Sequence, residues 1–494
     1  MSESQPVELD PGTPEIDLHQ VKTRSISGVL ALTSRTFLVQ VISFIATFFL
    51  TVFLSPQDYG TFFLVSAVVN FLTYFSDIGL AAALIQKKDK LTRQDLTTTF
   101  TIQQFLVLLL LFLLFANTGF IRSQYQLSSA AIYLMWALGL SLFLSSLKTI
   151  PSILLERDLQ FNKLVIPQIL ENLVFNLSAV YFAWKGWGIN TFTFAVLARG
   201  FTGLIAIYII SPWKPGLGLN RHSLKKLLNF GLPYQANTFL AVIKDDGMTL
   251  FLGKLIGQTG LGYIGWASRW ANMPLRFFMD NITKVAFPAY ARVQHDPQVL
   301  KKGIEKTIFY LALVSFPAFV GMAVLALPLV NTIPRYQKWL PALIPLYLYL
   351  FNAAWATIST PLTNALNAIG KIKITFKLMI MWTVLTWALM PYLAVKLGFV
   401  GVSLAAAIIA TSSIIVMYVI YRLVKVNFIQ SLLAPTLASF FMGSALLVIT
   451  PYLTSLPRII VTIFAGAFIY FVSLYLLQGK QLFLDLKNLI KPNR

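Results

Sequence analysis

Cysteine is absent from the 494-residue sequence. Its absence excludes a disulfide framework, thiolate catalysis and any thiolate-held metal. Histidine is nearly as scarce. His19, His222 and His295 are the three present, far apart and outside the apolar runs, so no histidine metal centre is expected. Charge is thin as well: 12% of residues are Asp, Glu, Lys or Arg, about half of the roughly 25% usual in soluble domains. Acids are the rarer sign, 18 against 39 Lys and Arg, for a net charge of +21. No G-x-x-x-x-G-K-[ST] phosphate loop occurs, so neither a nucleotide nor any other cofactor is expected.

What fills the chain is apolar bulk. Hydrophobic residues make up 57%, forty of them Phe, and the mean hydropathy is +0.72. A membrane helix needs about 20 mostly apolar residues. Fourteen such runs can be drawn, near 29–53, 61–85, 99–121, 128–150, 164–184, 187–210, 230–252, 263–288, 307–330, 340–362, 374–395, 398–420, 431–453 and 458–477. Polar residues interrupt the second, seventh, eighth and tenth. The gaps between runs leave no room for a soluble domain. In a chain this apolar, basic loops beside anionic lipid account for the positive charge better than nucleic acid does. Residues 1–17 carry Glu3, Glu8, Asp10, Glu15 and Asp17 and no base, which suits a disordered acidic tail and not a secretory signal.

Orientation follows from Lys and Arg. With a cytoplasmic N-terminus, 25 cations fall in inside segments and 7 in outside ones, so both termini are expected in the cytoplasm and the number of crossings to be even. Seven cations are left within or beside the runs: Arg35, Lys148, Arg199, Lys244, Arg269, Arg276 and Lys284. Acids in the same position are Asp77, Glu171, Asp245, Asp246 and Asp280. A charge at the centre of a spanning helix costs about 2.5–3.5 kcal/mol or more and should face protein or a wet cavity. In the eighth run Arg269, Asn272, Arg276, Asp280 and Lys284 form one stripe at helical spacing, the pattern of a cavity wall. Polar stripes in the first run (Thr36, Gln40, Ser43, Thr47, Thr51) and the second (Ser66, Asn70, Thr73, Asp77) suit either a cavity or close helix packing. Asn237 joins Lys244 and Asp245 in the seventh. Lys148 and Lys284, near run ends, are expected to snorkel to the interface.

Pro167, Pro233, Pro274, Pro317, Pro361 and Pro435 fall within runs or at their starts, where broken helices would open backbone groups to a cavity. Two similar turns, Leu54-Ser-Pro-Gln-Asp-Tyr-Gly60 and Ile256-Gly-Gln-Thr-Gly-Leu-Gly262, each end in Gly and precede a run. Six runs separate them, which implies two six-helix lobes in the same orientation. The expected organisation is therefore an all-α polytopic protein of about fourteen membrane helices: a tail (1–24), a first lobe (25–211), a second lobe with its preceding loop (212–428), two further helices (429–480) and a C-terminal tail (481–494).

The turn at Leu54–Gly60 belongs to a longer series of motifs. Asp77-Ile-Gly-Leu80 is followed by Leu84-Ile-Gln-Lys-Lys88, then Leu154-Leu-Glu-Arg-Asp-Leu-Gln-Phe161 and Phe230-Gly-Leu-Pro233. Leu261-Gly-Tyr-Ile-Gly-Trp-Ala267 with Pro274, and Val285-Ala-Phe-Pro-Ala-Tyr-Ala-Arg292 with Asp296, complete it. In order and spacing the series, over roughly residues 20–480, resembles the Wzx-type polysaccharide transporters, flippases of the MOP superfamily. One departure is the turn Asn331-Thr-Ile-Pro-Arg-Tyr-Gln-Lys-Trp339, where relatives commonly have Gly before the Lys-Trp pair. The resemblance implies a bacterial cytoplasmic-membrane flippase working by alternating access. Its cargo would be an oligosaccharide on undecaprenyl diphosphate, moved to the outer leaflet for surface or exopolysaccharide synthesis. Membrane lipids surround it, other polysaccharide assembly proteins are candidate partners, and no catalytic residue is expected.

An anionic cargo suits a cationic cavity, so Arg35, Arg199, Lys244, Arg269, Asn272 and Arg276 are the candidate substrate-binding residues. Asp77, Glu171, Asp245, Asp246 and Asp280 could couple an ion or simply neutralise nearby cations. A multidrug or cation exporter of the same superfamily would want a net acidic cavity. A membrane polysaccharide polymerase or glycosyltransferase would want paired acids on a large outside loop, where Asp58 is the only clear acid.

Overall fold

The computed structural model describes residues 18–87 and 89–479, and among these no strand occurs. The helices are α1 (Leu18–Phe53), α2 (Pro56–Thr73), α3 (Leu80–Gln86), α4 (Arg93–Ala116), α5 (Thr118–Tyr125), α6 (Ser129–Leu147), α7 (Thr149–Arg157), α8 (Phe161–Trp184) and α9 (Asn190–Ile210). They continue with α10 (Arg221–Val242), α11 (Met248–Arg292), α12 (Pro297–Thr332), α13 (Leu343–Ala368), α14 (Ile372–Thr411), α15 (Ile414–Val424), α16 (Phe428–Ile449) and α17 (Leu456–Gln478). α1 starts inside the expected tail: no Pro or Gly lies between Leu18 and Ser27, so helix runs on beyond the apolar stretch. Residues 1–17 and 480–494 lie outside the described residues.

Among the described residues ten helical stretches are long and apolar enough to cross a membrane. One of them, Ile372–Val424, has 53 residues and breaks at Gly398, whose φ of 61° is open to glycine. There the chain doubles back so tightly that a Cβ on Gly401 would lie 2.0 Å from the Leu393 carbonyl oxygen. The runs too polar to qualify, now α2–α3, α10 and α11, include three of the four that the sequence marks as interrupted. The prolines within runs do not break them. Helix continues through Pro167, Pro274, Pro317, Pro361 and Pro435, whereas α11 breaks at Gly257 (φ 68°) and the second run breaks before Gly79 (φ 75°). A proline forgoes one backbone hydrogen bond, which neighbouring helices tolerate.

α2 begins with a capping box: the Ser55 hydroxyl accepts from the Asp58 N–H, the Asp58 carboxylate accepts from the Ser55 N–H, and Pro56 fills the first turn. The two similar turns of the sequence then meet. A Cβ on Gly60 would stand 1.6 Å from the Gln258 carbonyl oxygen, and one on Gly262 would stand 1.9 Å from that of Pro56. The pairing is reciprocal, each glycine four residues after the carbonyl that faces its counterpart. At the other end of the run Gly79 and Gly231 touch in the same way, 2.4 Å from a would-be Cβ on Gly79 to the Gly231 oxygen. α2 and its continuation are thus seamed to α10 and α11 at both ends. On one side α6, α8 and α9 pack together with α1 against α8; on the other α11 to α14 pack together, with α16 and α17 on α12.

Beside the Gly60–Gly262 contact sits an aromatic block. Trp339 is fully buried, stacks on Trp266 at 5.3 Å, meets Tyr59 edge-on at 5.7 Å and donates Nε1–H to the Thr51 carbonyl at 2.8 Å. In its turn the left-handed conformation falls on Arg335 (φ 64°), and Gln337 opens a 3-10 turn, so no glycine is needed before Lys338. The seam yields a stability prediction. Gly60→Ala and Gly262→Ala each overpack a backbone contact, worth about 1–3 kcal/mol, and should lower the thermal unfolding midpoint in detergent. Gly119→Ala, with nothing within 4 Å of the new Cβ, should leave it unchanged.

Candidate functional site

A cavity of about 700 Å³ opens between α1, α11, α13 and α14. Its polar wall is Gln40 and Ser43 of α1, Thr249, Ser268, Arg269, Asn272 and Arg276 of α11, and Lys244 and Asp245. Lys244, Asp245 and Asp246 stand on a π-helical turn, Ile243–Gly247, that joins α10 to α11. Such a turn re-aims side chains that a regular helix would direct elsewhere. Lys244 Nζ lies 2.7 Å from Asp245 Oδ1. Three cations thus face one carboxylate in the wall. Among the described residues neither Arg269 nor Arg276 makes an ion pair, and both are exposed to the cavity. Gln40 donates Nε2–H to the Arg276 carbonyl at 3.1 Å, while its buried Oε1 has no partner among the described residues.

A second cavity, about 550 Å³, lies between α3, α7, α8 and α9, with Val39 of α1 common to both. It holds Lys148, Glu156, Glu171 and Arg199. Glu171 Oε1 is 2.6 Å from Lys148 Nζ, and Oε2 is 3.6 Å from Arg199 Nε. Lys148 therefore does not snorkel: a carboxylate at hydrogen-bond distance holds it inside the bundle. Burial pushes the Glu156 carboxyl, beyond the apolar run of α6, above the ordinary range.

A third space, about 400 Å³, is lined wholly by apolar area. Phe44, Trp270, Pro274, Met322 and Ile463 contribute to it. Met273 and Phe277 form one wall of it and one wall of the first cavity.

Of the residues singled out in the sequence, Lys244, Asp245, Arg269, Asn272 and Arg276 share the first cavity, and Glu171 and Arg199 the second. Asp77 lines neither; its carboxylate accepts from the Ala81 N–H at 3.2 Å and caps α3. Asp246 lies beside Asn70 of α2. The side chains of Arg35, Asn237, Asp280 and Lys284 lie outside the described residues. The stripe of α1 divides: Gln40 and Ser43 reach the cavity, while Thr51 is buried and bonded to the Tyr336 hydroxyl at 2.8 Å. α2 gives the cavity only Phe63; of its polar stripe, Asn70 bonds Asp246 of the π turn and Thr73 bonds the Val69 carbonyl of its own helix. The sequence did not mark Tyr349, Thr386 or Met390, which complete the wall from α13 and α14. Each is an isolated residue in an apolar run and carries no periodic signal.

Residues 49–344 match the family described as "Polysaccharide biosynthesis protein". The chain is 24% identical over 378 residues to the teichuronic acid biosynthesis protein TuaB of Bacillus subtilis (strain 168), covering 74% of this chain and 77% of that protein. It is 22% identical over 454 residues to the lipopolysaccharide biosynthesis protein WzxC of Escherichia coli (strain K12), with 90% and 88% covered. Its fold is similar to that of the lipid II flippase MurJ in an inward closed conformation, with TM-score 0.71, 18% identity, and 93% of this chain and all of that chain covered. Fold and relatives together make this a multi-pass membrane protein.

The contrast between cavity and groove is measurable, since the chain has no native cysteine. Ser268→Cys and Asn272→Cys should react with a small hydrophilic thiol reagent at least about ten-fold faster than Met322→Cys or Ala326→Cys, because the thiolate is the reactive form and needs a wet, cationic setting. Labelling rates followed by mass spectrometry check this.

Proposed function

The chain belongs to the polysaccharide biosynthesis protein family, and from that premise we propose that it flips a lipid-linked oligosaccharide from the cytoplasmic to the outer leaflet of the bacterial cytoplasmic membrane. What supports the reading most is the shared wall of Met273 and Phe277. On one side of it two arginines, without an ion pair among the described residues, face a cavity, and on the other lies a purely apolar groove. A lipid-linked sugar diphosphate has that same division, an anionic polar head on a hydrocarbon chain.

The diphosphate is the part that cannot cross hydrocarbon unaided, because its charges lose their hydration. Arg269 and Arg276 stand two turns apart on one face, about 10 Å by helical rise, and each can grip phosphate oxygens bidentately. Lys244 adds charge from the π turn. Gln40 Oε1, Asn272, Thr249 and Thr386 can bond sugar hydroxyls, and the groove can take the first isoprene units. The two glycine seams lie at opposite ends of α2, so opening one while keeping the other gives alternating access. Both termini face the cytoplasm in this reading, by the Lys and Arg bias of the loops. No nucleotide loop occurs, so the membrane potential or an ion gradient supplies the drive. Asp245 we read as the counter-ion of Lys244 and Asp77 as a helix cap. An exporter of organic cations is the second reading; three cations against one carboxylate in the wall speak against it. An enzyme is the third; the first cavity has a single carboxylate in its wall, and in the second Glu171 is engaged by Lys148 and Arg199.

The test is flipping of a lipid-linked oligosaccharide in proteoliposomes. Arg269→Ala and Arg276→Ala should each slow it by at least about ten-fold while inserting normally, since a charge-assisted contact is lost. Lys at either position should restore it only in part, for want of the planar fork, and Lys301→Ala should match the parent. Parental rates in both Ala variants would reject the reading.

A further inference from the structure

We propose that Lys148 and Arg199 form a second anion seat in the N-terminal half of the chain, kept closed by Glu171 as a built-in counter-ion, and that a phosphate-class anion takes the seat by displacing that carboxylate. The second cavity offers room, about 550 Å³, and hydroxyl and amide groups from Ser145, Thr149, Ser152, Gln168 and Asn172. Its charges differ from those of the first cavity in one respect. There the arginines make no ion pair among the described residues; here Lys148 and Glu171 are already joined at 2.6 Å, their side chains 15% and 13% exposed.

The joint is asymmetric. Lys148 makes a short contact with one carboxylate oxygen, whereas Arg199 approaches the other at 3.6 Å through Nε alone and is 55% exposed. Arg199 lines the cavity, with Phe175 on one face of its guanidinium at 6.0 Å. That is a cation held in reserve more than a closed salt bridge. The resting place of the carboxylate is also built. A Cβ on Gly203 of α9 would lie 1.9 Å from Glu171 Oε1, so only glycine lets the carboxylate lie against α9 between the two cations. Two positive groups flanking one movable negative group bind a phosphate only when that group leaves, because two anions cannot share the seat. Glu156, the other acid in the cavity wall, adds to the repulsion and favours brief occupancy.

The seat adjoins the first cavity through α1, with Val39 between them. It therefore has the place of a loading station, where an anion is held loosely before it reaches Arg269 and Arg276. That the anion is the cargo's diphosphate rests on the function proposed above; the affinity of the seat for phosphate does not.

The experiment titrates full-length protein in detergent by calorimetry, in an Arg269→Gln/Arg276→Gln background that silences the first cavity. Inorganic pyrophosphate and farnesyl diphosphate are the probes. Glu171→Gln should tighten pyrophosphate binding at least about five-fold, the effect of removing one adjacent charge at intermediate dielectric. Glu171→Asp, which keeps the charge but retracts it, should tighten it less. Adding Lys148→Gln or Arg199→Gln should abolish binding. Tightening for both probes identifies a lipid headgroup as the ligand, and tightening for pyrophosphate alone identifies free phosphate; either supports the seat. Unchanged or weaker binding in Glu171→Gln, or binding indifferent to Lys148 and Arg199, overturns it. No flipping is measured, so this failure is distinct from failure of the Arg269 and Arg276 reading.

Discussion

An arginine inside a bilayer must find water or a partner, and the architecture follows from meeting that demand for Arg269 and Arg276. α11 carries both on one face. That face turns inward, toward α1, α13 and α14, because it could not face lipid. The polarity of α2, α10 and α11 follows from the same demand. They are, among the described residues, the long helices too polar to count as membrane spans on composition. The apolar helices α16 and α17 present Phe440, Phe464 and Phe468 outward.

A sheltered cavity between two groups of helices needs a joint that can part. The glycine contacts supply one at each end of α2. Backbone touches backbone at Gly60 with Gly262 and at Gly79 with Gly231, and few side-chain bonds, Thr61 to Gln258 at the first seam and Tyr74 with Gln235 at the second, have to be released for the ends to separate. The Trp339 block beside the first seam adds apolar burial, and Lys338 adds a bond to the Val52 carbonyl at 2.7 Å. The charge pattern is divided between two cavities. One leaves its two arginines without an ion pair among the described residues, and the other keeps a carboxylate lodged between its cations. Strong and weak anion sites side by side suit a cargo that must be held and then released.

Much of this was legible in the residues. The stripe of Arg269, Asn272 and Arg276 marked the cavity wall because helical periodicity places such residues on one face, whereas the twin glycine turns signalled a repeat and not the contact they make with each other. The resemblance to polysaccharide transporters agreed with the family match. What escaped was what periodicity cannot carry. Lys148 and Glu171 are 23 positions apart, and nothing in a linear pattern pairs them. Thr386 and Tyr349 are solitary residues in apolar runs. The π turn at Ile243–Gly247 has no simple sequence sign, so Lys244 could be placed near the cavity but not aimed. The polar face of α2 read equally as cavity or packing; it stays out of the cavity wall, and Asn70 bonds Asp246 of the π turn instead.

The central claim is that the two arginines bind the anionic head of a lipid-linked sugar while hydrocarbon lies beyond the Met273–Phe277 wall. Native mass spectrometry of the detergent-solubilised protein with a purified lipid-linked oligosaccharide measures it most directly. The parent should retain one such molecule. The Arg269→Gln/Arg276→Gln variant should lose it at least about ten-fold more readily, two charge-assisted contacts being gone, yet keep its ordinary phospholipid adducts. Equal retention by parent and variant would contradict the account.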